Sequence, residues 1–460
     1  MITYTTKKSI KMFLIKALHF IVSVGLFILF FIFFRYGRLT DLESWNFRYN
    51  YYVMIAYAVF LLFFNRTYNS YLFGFLRIRA MVFGQILSQG FSLTILYIAV
   101  SVAWNHLNNP LIFLPLLVIQ FFLDVCLSYY GNALYYKLHG KRRTLLIYRN
   151  QYDKRRFGFV SGKPIEYMYE ITDEMQYDGK FIEIKEKLAG YGAIFVAGVN
   201  STCRNGILKY CMEENIPGFF LPHVGDVIML SATHVQALDA PVLYVNRKHM
   251  EPEYALVKRA FDIVSSFVAI VILAPLLLII GFAIKLYDRG PVLYKQTRLT
   301  KDGKEFEILK FRSMRVNAEK DGVARLSTGE NDDRITPVGK IIRRYRIDEL
   351  PQLVNILRGD MSVVGPRPER PEIAELYYKK MPDFKLRLQV KAGLTGYAQV
   401  YGKYNTDPYE KLEFDLLYIN SMNIVTDLKL CFATFAILFN KDSTEGVKVG
   451  NTNGLEGRDD

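Results

Sequence analysis

Hydrophobic residues are concentrated in a few long runs in the first third of the chain and in one further run after position 258. Met12–Phe34 is long enough to cross a bilayer, because a membrane-spanning helix needs about 20 predominantly apolar residues. Three more runs follow it: Tyr51–Phe64, Met81–Trp104 and Leu111–Tyr130. The pattern therefore predicts a transmembrane domain of four helices over residues 1–135.

Basic residues distinguish the two sides of this predicted domain. Lysines precede the first run, arginines separate the second run from the third, and both types follow the fourth run. The loop around His106 has no Lys or Arg, whereas the loop 35–50 has three arginines that Asp41 and Glu43 partly balance. Because cytoplasmic loops are enriched in Lys and Arg, we expect both ends of the four-helix domain to face the cytoplasm.

Residues 142–245 have the pattern of a soluble α/β domain. Arg143–Tyr148 reads as a buried strand, and Ala193–Val199 reads as a second strand followed by a helix through Glu213. This alternation predicts a Rossmann-like cytoplasmic domain. Residues 149–151 (Arg-Asn-Gln) stand where a dinucleotide-binding domain has its glycine-rich turn. A structural or regulatory role is therefore favoured over a bound nucleotide.

Residues 252–440 combine one apolar segment with a charged α/β sequence. The segment Phe261–Leu286 is interrupted by Pro275, which removes a backbone hydrogen bond from a helix. Basic residues flank both of its ends: Lys258, Arg259, Lys285 and Arg289. The residues alone leave open a kinked spanning helix and a re-entrant helix that returns to the same side. Residues 441–460 have no apolar face and are predicted to be disordered.

Charge and composition narrow the class of protein. The chain has 460 residues, with 58 Lys and Arg against 44 Asp and Glu, a net charge of +14. Such an excess suits anionic lipid or nucleic acid, and the long apolar runs argue against nucleic acid. The four cysteines have no metal-binding spacing. All six histidines lie at or before His249, so chemistry beyond that point must use carboxylates, lysines or hydroxyl groups.

Two adjacent acids, Asp348 and Glu349, follow a predicted basic amphipathic helix that begins at Thr336. Neighbouring residues on a helix point roughly 100° apart, so the two carboxylates can have different roles. One can hold a hard cation such as Mg²⁺, and the other can attack phosphorus or accept a proton. The alternative is an ordinary acidic turn at a helix start, where the helix dipole favours negative charge.

Cationic residues accompany this acidic pair in the sequence. Alternation along residues 306–314 places Lys310 and Arg312 on one face of a strand. The sequence Gly365-Pro366-Arg367-Pro368 predicts a rigid turn that presents Arg367. Several cations beside two carboxylates match the needs of phosphoryl transfer, in which positioning and charge neutralisation dominate.

Seven motifs in one order carry a resemblance to a known family: Lys258-Arg259-Ala260-Phe261-Asp262, Gly290-Pro291-Val292, residues 310–314, 348–353, 365–368, 393–400 and 414–416. They extend over about Val257–Leu438. The chain resembles the bacterial sugar transferase family, the monotopic phosphoglycosyl transferases. It is similar to their large form, which has four additional membrane helices and a Rossmann-like domain.

The resemblance implies a role for individual residues. Asp348 matches the nucleophile that takes the sugar-1-phosphate covalently, and Glu349 matches a ligand of Mg²⁺. With the residue pattern, it predicts a substrate-binding set: Lys310, Arg312, Arg343, Arg367, Lys403 and Asp415. Lys403 stands where the family often has arginine, so it keeps the charge but loses the bidentate geometry.

The resemblance also implies the substrates and the location. The expected reaction transfers a sugar-1-phosphate from a UDP-sugar to undecaprenyl phosphate, releases UMP and initiates exopolysaccharide, capsule or O-antigen synthesis. It implies a multi-pass protein of the bacterial inner membrane, in contact with lipid, with its catalytic domain in the cytoplasm. Nucleotide-sugars are cytoplasmic, so Phe261–Leu286 is expected to be re-entrant. A homodimer is left open, as is the identity of the sugar.

Three alternatives are weighed against this expectation. A nucleotide-sugar dehydratase would need a second glycine-rich dinucleotide loop after position 250, and the sequence has none there. A polytopic sugar-phosphate transferase of the unrelated type would need more membrane spans. A non-enzymatic scaffold or sensor of polysaccharide assembly has no use for the acidic pair and its cations.

Overall fold

The computed structural model describes residues 2–36, 47–105, 109–157, 164–235, 240–247, 250–315, 334–402 and 407–438. The chain divides into two compact units, Met1–Leu221 and Pro222–Asp460. Residues 222–245 of the predicted Rossmann-like segment therefore belong to the second unit. The predicted substrate-binding residue Lys403 and the predicted disordered tail 441–460 lie outside the described residues.

The first unit begins with four helices that coincide with the four predicted apolar runs. They are α1 (Ile2–Tyr36), α2 (Phe47–Thr67), α3 (Ile78–Trp104) and α4 (Leu114–His139). Within the described residues, four helices are long and apolar enough to cross a membrane: α1, α3, α4 and α9 (Pro252–Asp288) of the second unit. The apolar part of α2, Tyr51–Thr67, is shorter. These helices fit a membrane protein.

The bundle has aromatic and aliphatic contacts between its helices. Phe27 of α1 stacks on Tyr57 of α2 with ring centroids 3.9 Å apart. Leu61, Leu93 and Leu116 complete this buried cluster with side chains from α2, α3 and α4. Large apolar side chains on the outer faces of the same helices remain exposed, as expected for surfaces that face lipid.

A parallel sheet of four strands follows in the same unit, in the order β2-β1-β3-β4. The strands are β1 (Arg142–Tyr148), β2 (Tyr169–Gln176), β3 (Ala193–Ala197) and β4 (Gly218–Phe220), with helices α5 (Gln151–Phe157), α6 (Phe181–Ile184) and α7 (Ser201–Glu213) between them. All five residues of β3 are buried, so both faces of that strand are covered, as parallel sheets require. The mixed α/β character predicted here is confirmed.

The second unit starts with α8 (Val224–Met229) and an antiparallel pair, β5 (Thr233–Val235) and β6 (Val242–Tyr244). The long helix α9 follows and contains Pro275. The next elements are the antiparallel strands β7 (Leu293–Leu299) and β8 (Glu305–Phe311), then α10 (Pro337–Arg344) and α11 (Gln352–Arg358).

The remaining elements are β9 (Ser362–Val364), α12 (Pro371–Lys380), β10 (Gly393–Thr395), α13 (Tyr397–Tyr401), α14 (Pro408–Asn420) and α15 (Ile424–Leu438). All of them except β10 contribute side chains to the main core of this unit, together with α8. Strands β9 and β10 are parallel. Their backbones approach so closely that a Cβ on Gly393 would lie 2.0 Å from the amide nitrogen of Gly365. Glycine at this crossing fixes the start of the turn that leads to Arg367.

Candidate active site

The two predicted catalytic acids lie in a short 3₁₀ turn, Ile347–Glu349, between α10 and α11. Helix α10 starts as the sequence predicts, because Thr336 Oγ1 accepts a hydrogen bond from the backbone N–H of Gly339 at 2.9 Å. After this helix ends, Arg346 adopts a left-handed conformation with φ of 54°. The acids are therefore held at a sharp change of chain direction.

Glu349 is held between two cations. Arg367 donates from Nη2 to Oε1 at 2.7 Å and from Nη1 to Oε2 at 3.4 Å, the bidentate geometry that suits a guanidinium group. Lys310 Nζ lies 3.5 Å from Oε1. Burial opposes the charge, but Arg367 and Lys310 hold the pKa of Glu349 well below its ordinary value. Glu349 is consequently a carboxylate at neutral pH.

Asp348 has the opposite electrostatic state. Burial and the negative charge of Glu349 raise the pKa of Asp348 to about 6, although Lys310, Arg343 and Arg367 favour its ionised form. Two neighbouring carboxylates with pKa values displaced in opposite directions are a common feature of sites that divide chemical roles. Of the two, Asp348 is the group whose proton is exchanged near neutral pH.

Helix α11 fixes the strand that carries Lys310. The side chain of Asn355 accepts a hydrogen bond from the backbone N–H of Leu309 at 2.9 Å and donates to the carbonyl oxygen of Glu307 at 2.8 Å. Burial lowers the pKa of Lys310, and Glu349 partly restores its charged form. The amine is thus held against the acidic pair with little freedom to move away.

The predicted arginines differ in their surroundings. Arg343 favours the ionised form of Asp348 electrostatically, and its Nη1 is buried without a hydrogen-bond partner among the described residues. Leaving a buried donor without an acceptor is costly, and an anionic substrate would supply the acceptor. Arg312 is buried just after β8, and its backbone N–H donates to the carbonyl oxygen of Val292 at 2.9 Å.

Asp415 lies in a second buried cluster. It is fully buried on α14, and its Oδ2 lies 2.7 Å from Nη2 of Arg387. Burial raises the pKa of Asp415 to about 6, against the effect of Arg387. The same Nη2 donates to the backbone carbonyl oxygen of Arg367 at 2.6 Å. Asp415 is therefore connected to Glu349 through Arg387 and Arg367.

Other members of this second cluster are missing from the predicted site. Glu369 Oε1 lies 3.8 Å from Nη1 of Arg298, and its Oε2 lies 3.9 Å from Nη1 of Arg387. Lys411 also helps to keep the pKa of Glu369 low despite its burial. Glu369 directly follows the predicted Arg367 turn, so its proximity to the site could have been predicted from the sequence. Arg387 lies outside every motif, and only the folded chain brings it to the site.

The acidic pair fits a metal ion only with help from a substrate. No group of three or more acidic, histidine or cysteine residues suited to a metal occurs in the part of the chain that the structure describes. Mg²⁺ is commonly held by one or two carboxylates together with substrate phosphates, and the ionised carboxylate of Glu349 can supply one such ligand. The donor set therefore fits a metal that arrives with a diphosphate.

Comparison with known proteins shows a family match within the second unit. Residues 253–441 match the family described as bacterial sugar transferase. The chain is 42% identical over 205 residues to the UDP-glucose:undecaprenyl-phosphate glucose-1-phosphate transferase of Escherichia coli. This alignment covers 44% of this chain and 42% of that protein. The chain thus spans less than half the length of that relative.

Two shorter relatives are matched over most of their length. A UDP-glucose:undecaprenyl-phosphate glucose-1-phosphate transferase of Caulobacter vibrioides is 42% identical over 40% of this chain and 71% of its own. The exopolysaccharide production protein PSS of Rhizobium leguminosarum is 44% identical over 39% of this chain and 93% of its own. The motifs and the acidic pair all lie within residues 253–441, which match the family, and the chain belongs to the bacterial sugar transferase family.

Proposed function

We propose that this protein transfers a sugar-1-phosphate from a UDP-sugar to undecaprenyl phosphate and releases UMP. The observation that carries the proposal is the pairing of Asp348 with Glu349 among three cations, Lys310, Arg343 and Arg367. Such a site neutralises a diphosphate while leaving one carboxylate available for attack. The named activities of the Escherichia coli and Caulobacter relatives have the same substrate class.

The cations bind and orient the donor. Arg343 has a buried Nη1 without a partner in the described chain, and a phosphate oxygen is its natural acceptor. Lys310 and Arg367 already hold Glu349, so they place positive charge next to the incoming diphosphate. A bound Mg²⁺, held by Glu349 and the substrate phosphates, would supply further charge neutralisation at the leaving group.

Asp348 performs the chemical steps. In the first step, a carboxylate oxygen of Asp348 attacks the phosphorus that bears the sugar, and the bond from that phosphorus to the oxygen of UMP breaks. The product is an aspartyl phosphosugar. In the second step, a phosphate oxygen of undecaprenyl phosphate attacks the same phosphorus and restores the Asp348 carboxylate. With no histidine after His249, an acyl phosphate is a suitable covalent route.

The contacts of α9 support a re-entrant helix whose ends meet the cytoplasmic leaflet. Near its start, Asp262 Oδ1 accepts hydrogen bonds from Ser362 Oγ at 3.0 Å and from the backbone N–H of Val363 at 2.9 Å. Near its end, Ile280 and Ile284 pack in one buried cluster with side chains of β8 and α10. Both ends of α9 thus contact the same catalytic domain.

The length of α9 agrees with this arrangement. A straight helix of 37 residues would extend roughly 55 Å, against a hydrocarbon thickness of about 30 Å. Val271, Ile272 and Leu278 near Pro275 are strongly exposed, as expected for the part that enters lipid. We place the catalytic domain, residues 252–440, in the cytoplasm, where nucleotide-sugars are found.

The remaining domains complete the proposal. The parallel order β2-β1-β3-β4 with intervening helices supports a Rossmann-like domain after the four membrane helices. The turn after β1 has Asn150, whose Oδ1 caps the backbone N–H of Asp153 at 2.9 Å, in place of a glycine loop. We therefore assign this domain a structural or regulatory role in an inner-membrane protein, with homodimerisation as an open property.

Release of UMP tests this function directly. The purified full-length protein would be incubated with Mg²⁺, undecaprenyl phosphate and a panel of UDP-sugars. We expect UMP and a lipid-linked sugar from at least one donor, and neither product from Asp348→Asn. Glu375→Gln, which changes an exposed acid of α12, is the matched control and should retain activity. A folded protein inactive with every donor would support the scaffold alternative.

A further inference from the structure

The first turns of α9 present a buried polar face to the catalytic domain. Lys258 and Asp262, one helical turn apart, are only 5% and 4% exposed, and Arg259 lies beside them in the sequence. The same helix carries strongly exposed apolar side chains further along, around Pro275. The start of α9 is therefore directed at the catalytic domain by its polar side chains.

Arg259 holds the end of α11. Its Nη1 donates to the carbonyl oxygen of Ile356 at 2.7 Å, and its Nη2 donates to that of Leu357 at 2.7 Å. The last carbonyl groups of a helix lack the usual partner four residues ahead, and the guanidinium group takes that place here. Helix α11 begins at Gln352, three residues after Glu349. Arg259 therefore fixes the helix that follows the acidic turn.

Asp262 holds the free edge of β9. Among the described strands, β9 pairs only with β10, and on that edge the backbone N–H of Ser362 donates to the carbonyl oxygen of Ala392 at 2.8 Å. Backbone groups of successive strand residues point to opposite edges. The N–H of Val363 accordingly donates to Asp262 Oδ1 at 2.9 Å, and Ser362 Oγ donates to the same oxygen at 3.0 Å. Asp262 thus replaces a second neighbouring strand, which satisfies a backbone donor.

The segments held in these two ways meet at the contact between Glu349 and Arg367. Arg367 follows β9 by three residues, and the backbone N–H of Gly365 between them donates to the carbonyl oxygen of Thr395 at 2.8 Å. The prolines on both sides of Arg367 restrict the backbone further, so a shift of β9 displaces Arg367. One turn of α9 consequently holds both partners of the 2.7 Å contact from Arg367 Nη2 to Glu349 Oε1.

We propose that Arg259 and Asp262 are positioning residues of the transferase site. They set the separation of the acidic turn and the Arg367 turn, and therefore the grip of Arg367 on Glu349, without touching the substrate. This inference rests on the proposed transferase function and gives α9 a part in assembling the active site. The two donors to Asp262 are a hydroxyl group and a backbone N–H. Since both are neutral, the position of the acceptor oxygen matters more than its charge.

Two substitutions at Asp262 separate position from charge. Asp262→Asn keeps an acceptor oxygen in place without the charge, whereas Asp262→Glu keeps the charge and moves the oxygens by one methylene group. Purified full-length protein would be assayed with Mg²⁺, saturating undecaprenyl phosphate and a UDP-sugar that the wild type uses. We expect Asp262→Asn to keep a kcat within about 3-fold of wild type. In Asp262→Glu kcat should fall roughly 10- to 100-fold with little change in KM, because a displacement of about 1 Å can cost about 100-fold in rate.

Two further variants test whether Asp262 acts through Arg367. The double variant with Asp262→Glu and Arg367→Lys should lose less activity than the product of the two single losses, because both act on one contact. Ser265→Ala is the matched control on α9, because its hydroxyl group bonds only to carbonyl oxygens of the same helix. It should retain wild-type kcat.

Hydrogen exchange measures the contact without relying on activity. In a peptide that contains residues 362–367, exchange should be faster in Asp262→Glu and unchanged in Asp262→Asn. Wild-type protein without turnover would contradict the proposed function, whereas equal exchange in wild type and Asp262→Glu would contradict the positioning of β9. The inference is also overturned if Asp262→Asn is slower than Asp262→Glu, or if kcat falls only in proportion to the folded fraction.

Discussion

Arg387 donates from Nη2 to the backbone carbonyl oxygen of Arg367 at 2.6 Å, so the arginine that grips Glu349 is itself held by a second arginine. Asp415, 2.7 Å from the same Nη2, neutralises this second arginine in the core. The pair is buried and cannot contact solvent freely. We infer that Asp415 and Arg387 position Arg367 rather than touch the substrate.

We therefore expect Arg387→Ala to impair catalysis, although Arg387 itself does not contact the substrate. We expect kcat to fall about 10-fold or more with a smaller change in KM, because a charged hydrogen bond contributes roughly 1.5–3 kcal/mol. With Arg367 displaced, the pKa of Asp348 should rise, so the acidic limb of the pH profile should move to higher pH. Lys385→Ala is the control, because Lys385 lies two residues before Arg387 and is exposed. An unchanged pH limb would indicate a purely structural role.

The bidentate contact itself predicts that Arg367→Lys is not conservative. Lysine keeps the charge but cannot reproduce two parallel hydrogen bonds to Glu349. We expect kcat/KM to fall about 10- to 100-fold, the equivalent of roughly 1.5–3 kcal/mol. Activity in Arg367→Lys equal to wild type would show that charge alone suffices at this position.

The raised pKa of Asp348 predicts the pH dependence of the reaction. The nucleophile must be ionised, so kcat/KM should decrease below a pH of about 6. A profile of kcat/KM between pH 4.5 and 8, corrected for protein stability, checks the midpoint. A flat profile through this range would exclude Asp348 as the titrating nucleophile.

The sequence predicted elements whose signals are local. The apolar runs gave the long helices, and Thr336 caps α10 as expected. The apolar face of the amphipathic helix predicted from Thr336 is only partly buried, because Ile342 is 2% exposed whereas Ile341 is 62% exposed. Periodicity shows which residues share a face of α10. Packing of Ile342 in one cluster with Ile280 of α9 decides which part of that face is buried.

The site was predictable only as far as its motifs extend. The cations Lys310 and Arg367 do meet Glu349, and both belong to recognisable motifs. Arg387 reaches the site because the chain returns after α12, a contact between distant residues that no local pattern encodes. The role of Asp415 could not be predicted from local sequence either, because it depends on the contact with Arg387.

The contacts at both ends of α9 predict its topology. In a cysteine-free background, Glu253→Cys and Tyr287→Cys should both be shielded from an impermeant thiol reagent in intact cells. Asn109→Cys, between α3 and α4, should react, because that loop is expected on the outer side. Labelling at position 287 but not at 253 would show that α9 spans the membrane.

The covalent role of Asp348 is the central claim, and intact-protein mass spectrometry tests it most directly. The purified protein would be incubated with its UDP-sugar and Mg²⁺ without acceptor. We predict a mass increase of one sugar phosphate, mapped to the peptide with Asp348, removed by undecaprenyl phosphate and absent in Asp348→Asn. Undiminished turnover by Asp348→Asn, or a sugar phosphate on another residue, would contradict the account.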